Sequence, residues 1–217
     1  MEVMTVSDLA EHCLPKGLPR VVVDGNLPGT IFHNIVEKFI NVLTGPDGRA
    51  LTDAEVLWFY LHDHLALTEV QDLILESPTR AVGLCDALRA FCHHTAALHL
   101  PNQPWSQLLQ KNAYPMHNVQ LGQSQNGPFL VNGRIDNLRC LEGRSLQLVD
   151  YKLSRGTKLQ RDVIQLAIYC RCLLIKDNLR VDGVLEYYEP ELHEIMLPYD
   201  QLEQVFEDVV RPKIEEL

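Results

Sequence analysis

The sequence predicts an α/β domain, a mixed central sheet flanked by helices, with an all-helical insert over about residues 50–100. Three observations predict it. Apolar residues recur at helical spacing from 30 to 98; short alternating or apolar runs then fill 116–153; helical spacing returns over 158–176 before two more short runs.

The first helix is expected at 30–43, where Ile31, Ile35, Phe39 and Leu43 recur at steps of four behind Gly29 and Thr30 as start signals. His33 and Glu37 lie four apart and share a face of it. Thr52 and Glu55 read as a capping box opening a helix through about Leu67, and helical patterns continue over 69–76 and 79–98. Pro101 and Pro104 mark the way out of this insert. Strands are expected at 116–122, 128–140 and 145–153, punctuated by Gly127-Pro128 and Glu142-Gly143. Residues 158–176 form a helix with Val163, Leu166, Ala167, Cys170 and Leu174 on one side. Strands near 180–188 and 193–197 and a helix from about Asp200 complete one expected domain over 1–217.

Composition bounds the function. With 217 residues and 46% hydrophobic content, the chain can bury a full core without staples. Its six cysteines are therefore read as free thiols of a reducing, cytoplasmic environment. The acidic start (Glu2, Asp8, Glu11) does not read as a secretory signal, and no apolar run suggests a membrane span. A net charge of −10 argues at first against a nucleic-acid partner. The distribution weakens that objection: 177–217 holds 12 acidic and 3 basic residues, while 134–162 holds 7 basic and 4 acidic. No phosphate-binding glycine loop or dinucleotide fingerprint is present, which argues against an intrinsic ATPase or a redox enzyme.

Three compact strings carry the chemistry: Gly133-Arg-Ile-Asp136, Asp150-Tyr-Lys152 and Gln165-Leu-Ala-Ile-Tyr169. Alternation along a strand puts Asp150 and Lys152 on one face. Asp136 and Asp150, joined by His33, make an oxygen-rich site suited to Mg²⁺ or Mn²⁺. Lys152 beside it can orient a water or stabilise a developing charge, and Gly133 lets the backbone approach closely. Each string alone has an ordinary explanation: a solvated strand, a polar helix edge, a core histidine. Their order and spacing together do not. A zinc site from Cys85, Cys92, His93, His94 and His99 is disfavoured, because paired C-x-x-C knuckles are missing and adjacent helical residues cannot face one ion.

The combination resembles the PD-(D/E)XK phosphodiesterase superfamily, and within it the RecB-like branch that includes the CRISPR-adaptation exonucleases and the nuclease domains of repair helicases. Gly29 to His33, Gly133 to Asp136 and Asp150 to Lys152 resemble its first three motifs. The resemblance implies a restriction-endonuclease-like core and a metal held by His33, Asp136, Asp150 and the Tyr151 carbonyl. It also implies that Gln165 and Tyr169 contact substrate phosphate and support Lys152. The implied activity is Mg²⁺- or Mn²⁺-dependent exonucleolytic cleavage of single-stranded or end-bearing DNA in repair, recombination or CRISPR adaptation, with a protein partner from such a pathway. The alternative is a catalytically weak subunit that binds nucleic acid or assembles with others. Branch members often hold an iron–sulfur cluster on one early and three late cysteines. No cysteine follows Cys172, so no such cluster is expected. Arg155, Lys158 and Arg161 flank the third motif and are read either as phosphate contacts or as a solvated face.

Overall fold

A computed structural model describes residues 2–15, 27–141, 146–154, 156 and 158–217. The Glu142-Gly143 turn and Arg155 lie outside the described residues. The chain opens with strand β1 (Glu2–Thr5) and helix α1 (Val6–His12), neither of which the periodicity revealed. Both are too short to establish a period. Helix α2 (Leu27–Thr44) begins three residues before Thr30 and buries Ile31, Ile35, Phe39 and Leu43.

The insert consists of α3 (Ala54–Leu61), α4 (Leu67–Glu76) and α5 (Pro78–Leu98), with a π-helical turn over His62–Ala66 that breaks the single helix expected there. Its N-cap is Asp53, whose carboxylate accepts from the Glu55 and Val56 amides, so the capping box at Thr52 does not form. Glu55 instead pairs with Arg89 and His93 on α5. A short α6 (Trp105–Leu108) leads into the sheet.

Strands β2 (Leu109–Ser124), β3 (Gly127–Cys140), β4 (Leu146–Lys152), β5 (Asp182–Tyr187) and β6 (His193–Leu197) follow. Helix α7 (Leu159–Asp177) crosses between the parallel β4 and β5, as a parallel pair requires. Helices α8 (Tyr199–Val205) and α9 (Arg211–Glu216), joined by a π-helical turn, close the described chain. The six strands form one mixed sheet. Side chains alternate between two cores: Leu148, Leu185 and Tyr187 pack with α1, α7 and α8, while Val149, Tyr151 and Val184 pack with α2 to α6. Gly183 permits the tight packing on one side, because a Cβ there would meet Leu166 and Leu202 at under 3.0 Å.

Strand β3 fixes where a site can open. β2 runs along one edge of it; on the other edge, β1 pairs only up to Asn132 and β4 only from Asn137. Gly133 to Asp136 therefore have no strand beside them on that edge among the described residues. The β2 side is irregular at the same level. Ala113, which falls opposite Asp136, has φ 48°, and Ile135 and Leu138 point into the same core although three apart.

A buried ionic network ties this sheet to the insert. Arg139 on β3 pairs with Glu186 on β5, and donates to Glu194 on β6 (2.8 Å) and to Gln147 on β4 (2.8 Å). His94 on α5 lies 3.1 Å from Glu186 and 3.5 Å from Glu194, and the Tyr188 hydroxyl donates to Glu186 at 2.5 Å. Burial works against charging His94, but its bonds to the two glutamates outweigh that and lift it to about 9. Its folded value then exceeds its unfolded one, so its contribution to stability is complete below about pH 6.5 and is lost as pH rises toward 9. Urea unfolding should show the parent protein losing stability relative to His94→Gln across that window. Parallel pH curves for the two proteins would remove His94 from the network's energetics.

Candidate active site

The site forms where the sheet parts. Continuing the β3–β4 register would set Asp150 opposite Asp136, but the ladder stops at Asn137–Val149. In its place the Asp136 carboxylate accepts the Tyr151 amide at 2.9 Å, so a side chain replaces a ladder carbonyl. His33 Nδ1, reaching down from α2, lies 3.4 Å from the other Asp136 oxygen. One turn on, Glu37 pairs with Arg134 at 2.9 Å, so the shared face read from the sequence meets β3 at two points.

Asp150 and Lys152 emerge on the same face of β4, with Nζ 2.8 Å from Oδ2. Helix α7 supplies the opposite wall. Asp162, Gln165 and Tyr169 recur along one side of it at steps of three and four. Lys152 donates to Gln165 at 3.3 Å, and the Tyr169 hydroxyl accepts the Arg134 amide at 3.4 Å. Gly133 makes that approach possible: a Cβ there would stand 2.8 Å from the Tyr169 ring and 2.9 Å from Val6. Apart from Asp162, Glu37 and Tyr151, these groups line a cavity of ≈ 590 Å³ that also takes in Thr30, Asn34 and Asn132.

The electrostatics separate the two acids. Burial pushes the Asp150 carboxyl up to about 7; Lys152 counters this and Asp136 adds to it. Burial acts on Asp136 as well, but His33, Lys152 and the Tyr151 amide together hold it below the usual carboxylate range. Burial disfavours charge on Lys152 too, yet Asp150, Asp162 and Asp136 raise it, so the ammonium persists. His33 is likewise raised, its desolvation offset by Asp136 and Asp150. Asp150 Oδ2 is buried, and its near partner is the Lys152 ammonium at 2.8 Å. A buried carboxylate beside a second carboxylate and an imidazole fits a hard divalent cation.

Two features qualify the expected geometry. Among the described residues, the one trio of histidine and carboxylate ligand atoms lying within 4.8 Å of one another is His94, Glu186 and Glu194, not His33, Asp136 and Asp150. The first trio is already satisfied by Arg139; in the second, Asp150 is turned toward Lys152. The phosphate candidates also divide. Arg161 lines the cavity but is ion-paired with Glu11 and lies 3.5 Å from Gln165, whereas Lys158 is exposed at the start of α7 and lies away from the cavity. The sequence reading missed Asp162 and Arg134. The first was signalled by its place on the Gln165–Tyr169 face, the second by sitting between Gly133 and Asp136.

A family model described as the PD-(D/E)XK nuclease superfamily matches residues 15–215. The chain belongs to the PD-(D/E)XK nuclease superfamily. Its six-stranded mixed sheet between helical layers is the restriction-endonuclease-like fold. A solved structure titled "Crystal structure of SSO0001" is similar over 84% of this chain and 84% of that one, at 14% identity. The TM-score between the two is 0.36. No curated protein matches. Among the described residues no helix is long and apolar enough to cross a membrane.

Because Gly133 sits against the Tyr169 ring, Gly133→Ala should displace that ring, destabilising the fold by about 1–3 kcal/mol in thermal or urea unfolding. A variant as stable as its parent would show that the ring yields without cost.

Proposed function

We propose that this member of the superfamily is a Mg²⁺- or Mn²⁺-dependent phosphodiesterase that cuts DNA, acting as an exonuclease on single strands or free ends. The single observation that carries the reading is the gap in the ladder, where His33–Asp136 and Asp150–Lys152–Gln165 face one cavity. His33, Asp136 and Asp150 are the residues to hold the ion, with the Tyr151 carbonyl as a further ligand. When bound, such an ion polarises the phosphodiester and lowers the pKa of a coordinated water.

The chain's own groups do the rest. Lys152 stays charged in a largely buried position and can stabilise negative charge building on the phosphate. Gln165 accepts from the ammonium and so restricts where it points. Tyr169 keeps its proton, its pKa pushed to about 12 by burial and by Asp150, and can donate to a phosphate oxygen. Arg134 and Arg161 stand at the cavity wall, held by Glu37 and Glu11, and can exchange those carboxylates for phosphate.

Membership of the RecB-like branch, without its iron–sulfur cluster, is supported by the Gln165–Tyr169 helix beside Lys152 and by the cysteine positions. Cys170 and Cys172 are buried in α7, where burial raises both thiols and the Cys170 thiol points to the Val181 carbonyl. A place in repair, recombination or CRISPR adaptation, in the cytoplasm, with a partner from such a pathway, follows from that branch. So does one nuclease domain carrying a helical insert.

With Mn²⁺ the protein should shorten single-stranded DNA, and EDTA should stop it. Asp150→Asn and Lys152→Ala should each lower the rate roughly 10²–10³-fold while the variants remain folded by circular dichroism. Either variant cutting at the parent rate would contradict these roles. Mn²⁺ should raise the melting temperature of the parent but not of Asp136→Ala. An equal rise in both would take Asp136 out of the ligand set.

A further inference from the structure

We propose that Asp162, fixed by Tyr187, is a positioning residue that keeps Lys152 in place when Asp150 turns toward a divalent cation. The proposal rests on the nuclease reading above. Among the described residues, the Lys152 ammonium lies near three side-chain oxygens: Asp150 Oδ2 at 2.8 Å, Gln165 Oε1 at 3.3 Å and Asp162 Oδ1 at 3.9 Å. Asp150 cannot give the same oxygen fully to the lysine and to an ion. Gln165 is neutral. Among the described residues, Asp162 is then the one remaining carboxylate within 4.0 Å of the ammonium.

The surroundings of Asp162 suit that task. It is buried, and an unmatched charge in such a place is costly. The Tyr187 hydroxyl donates to its Oδ2 at 2.9 Å, which leaves Oδ1 toward Lys152 and toward Arg161 at 3.5 Å. Both holders are set by backbone. Tyr187 pairs with Lys152 in the β4–β5 ladder, and Asp162 precedes Gln165 by one turn of α7. Removing the Asp162 charge leaves Asp150 as the one carboxylate within 4.0 Å of Lys152 among the described residues, so lysine and cation compete for it. Asp162 thereby frees Asp150.

Calorimetric titration of Mn²⁺ into four proteins tests this: the parent, Asp162→Asn, Lys152→Met and the double variant. Asp162→Asn should weaken Mn²⁺ binding on the order of tenfold when Lys152 is present and leave it unchanged in the Lys152→Met background. An equal loss in both backgrounds would mean that Asp162 acts only through its own field, and no loss in either that it does not act at all; each overturns the proposal. Tyr187→Phe keeps the ring and its packing and should act in the same direction more weakly, which preserves the test if Asp162→Asn fails to fold. Single-turnover cleavage of single-stranded DNA should show Asp162→Asn lowering the rate with KM held, whereas a change confined to KM counts against positioning. A parent that neither binds Mn²⁺ nor cuts defeats the nuclease reading itself. A parent that does both, matched by Asp162→Asn, defeats this inference alone.

Discussion

The parting of β3 from β4 beyond Asn137 and Val149 is the constraint on which the site depends. A backbone amide released from a ladder must find another acceptor, and for Tyr151 that acceptor is the Asp136 carboxylate. The exchange orients Asp136 and leaves its second oxygen for His33. On the β3 side the end of β4 is left unpaired, while its β5 ladder continues through Lys152, and Asp150 and Lys152 face α7. β1 ends at Thr5 and turns directly into α1, so among the described residues no strand refills the gap from below.

Charge placement follows from that opening. Three carboxylates and one ammonium share a poorly hydrated space, where unpaired charge is expensive. The balance is uneven: Asp136 has an imidazole and an amide, Asp162 has a phenol, and Asp150 has mainly the lysine. Asp150 is therefore the acid with the most to gain from a cation. The same logic sets apart the His94, Glu186 and Glu194 cluster. There Arg139 already supplies the positive charge, and the cluster joins insert to sheet. Proximity of ligand atoms alone does not make the better metal site.

Much of this was legible in the sequence, and the remainder was hidden for physical reasons. The helical stripe of 30–43 and the apolar face of 158–176 are long enough for their periods to speak, and both helices stand where expected. Asp150 and Lys152 share a face because alternation is strict at that end of β4. β1 and α1 are four and seven residues long, below the length at which a pattern emerges. β2 runs from Leu109, well before the expected 116, because irregularities at Ala113 and Asn118, both at positive φ, break its alternation. The cap moved to Asp53 since the carboxylate next to the helix outcompetes the hydroxyl one residue back, while Glu55 bonds across to α5. Arg161 lay on the expected wall, but its partner Glu11 comes from a helix the pattern never showed. Contacts between segments distant in sequence leave no local trace.

On the proposed function, one divalent cation belongs at the break in the sheet. Anomalous diffraction at the manganese edge, from crystals soaked in Mn²⁺, tests it most directly. The account predicts a peak bounded by His33, Asp136 and Asp150, with Asp150 turned away from Lys152. A peak between His94, Glu186 and Glu194 instead, or none in the cavity at saturating Mn²⁺, would contradict it.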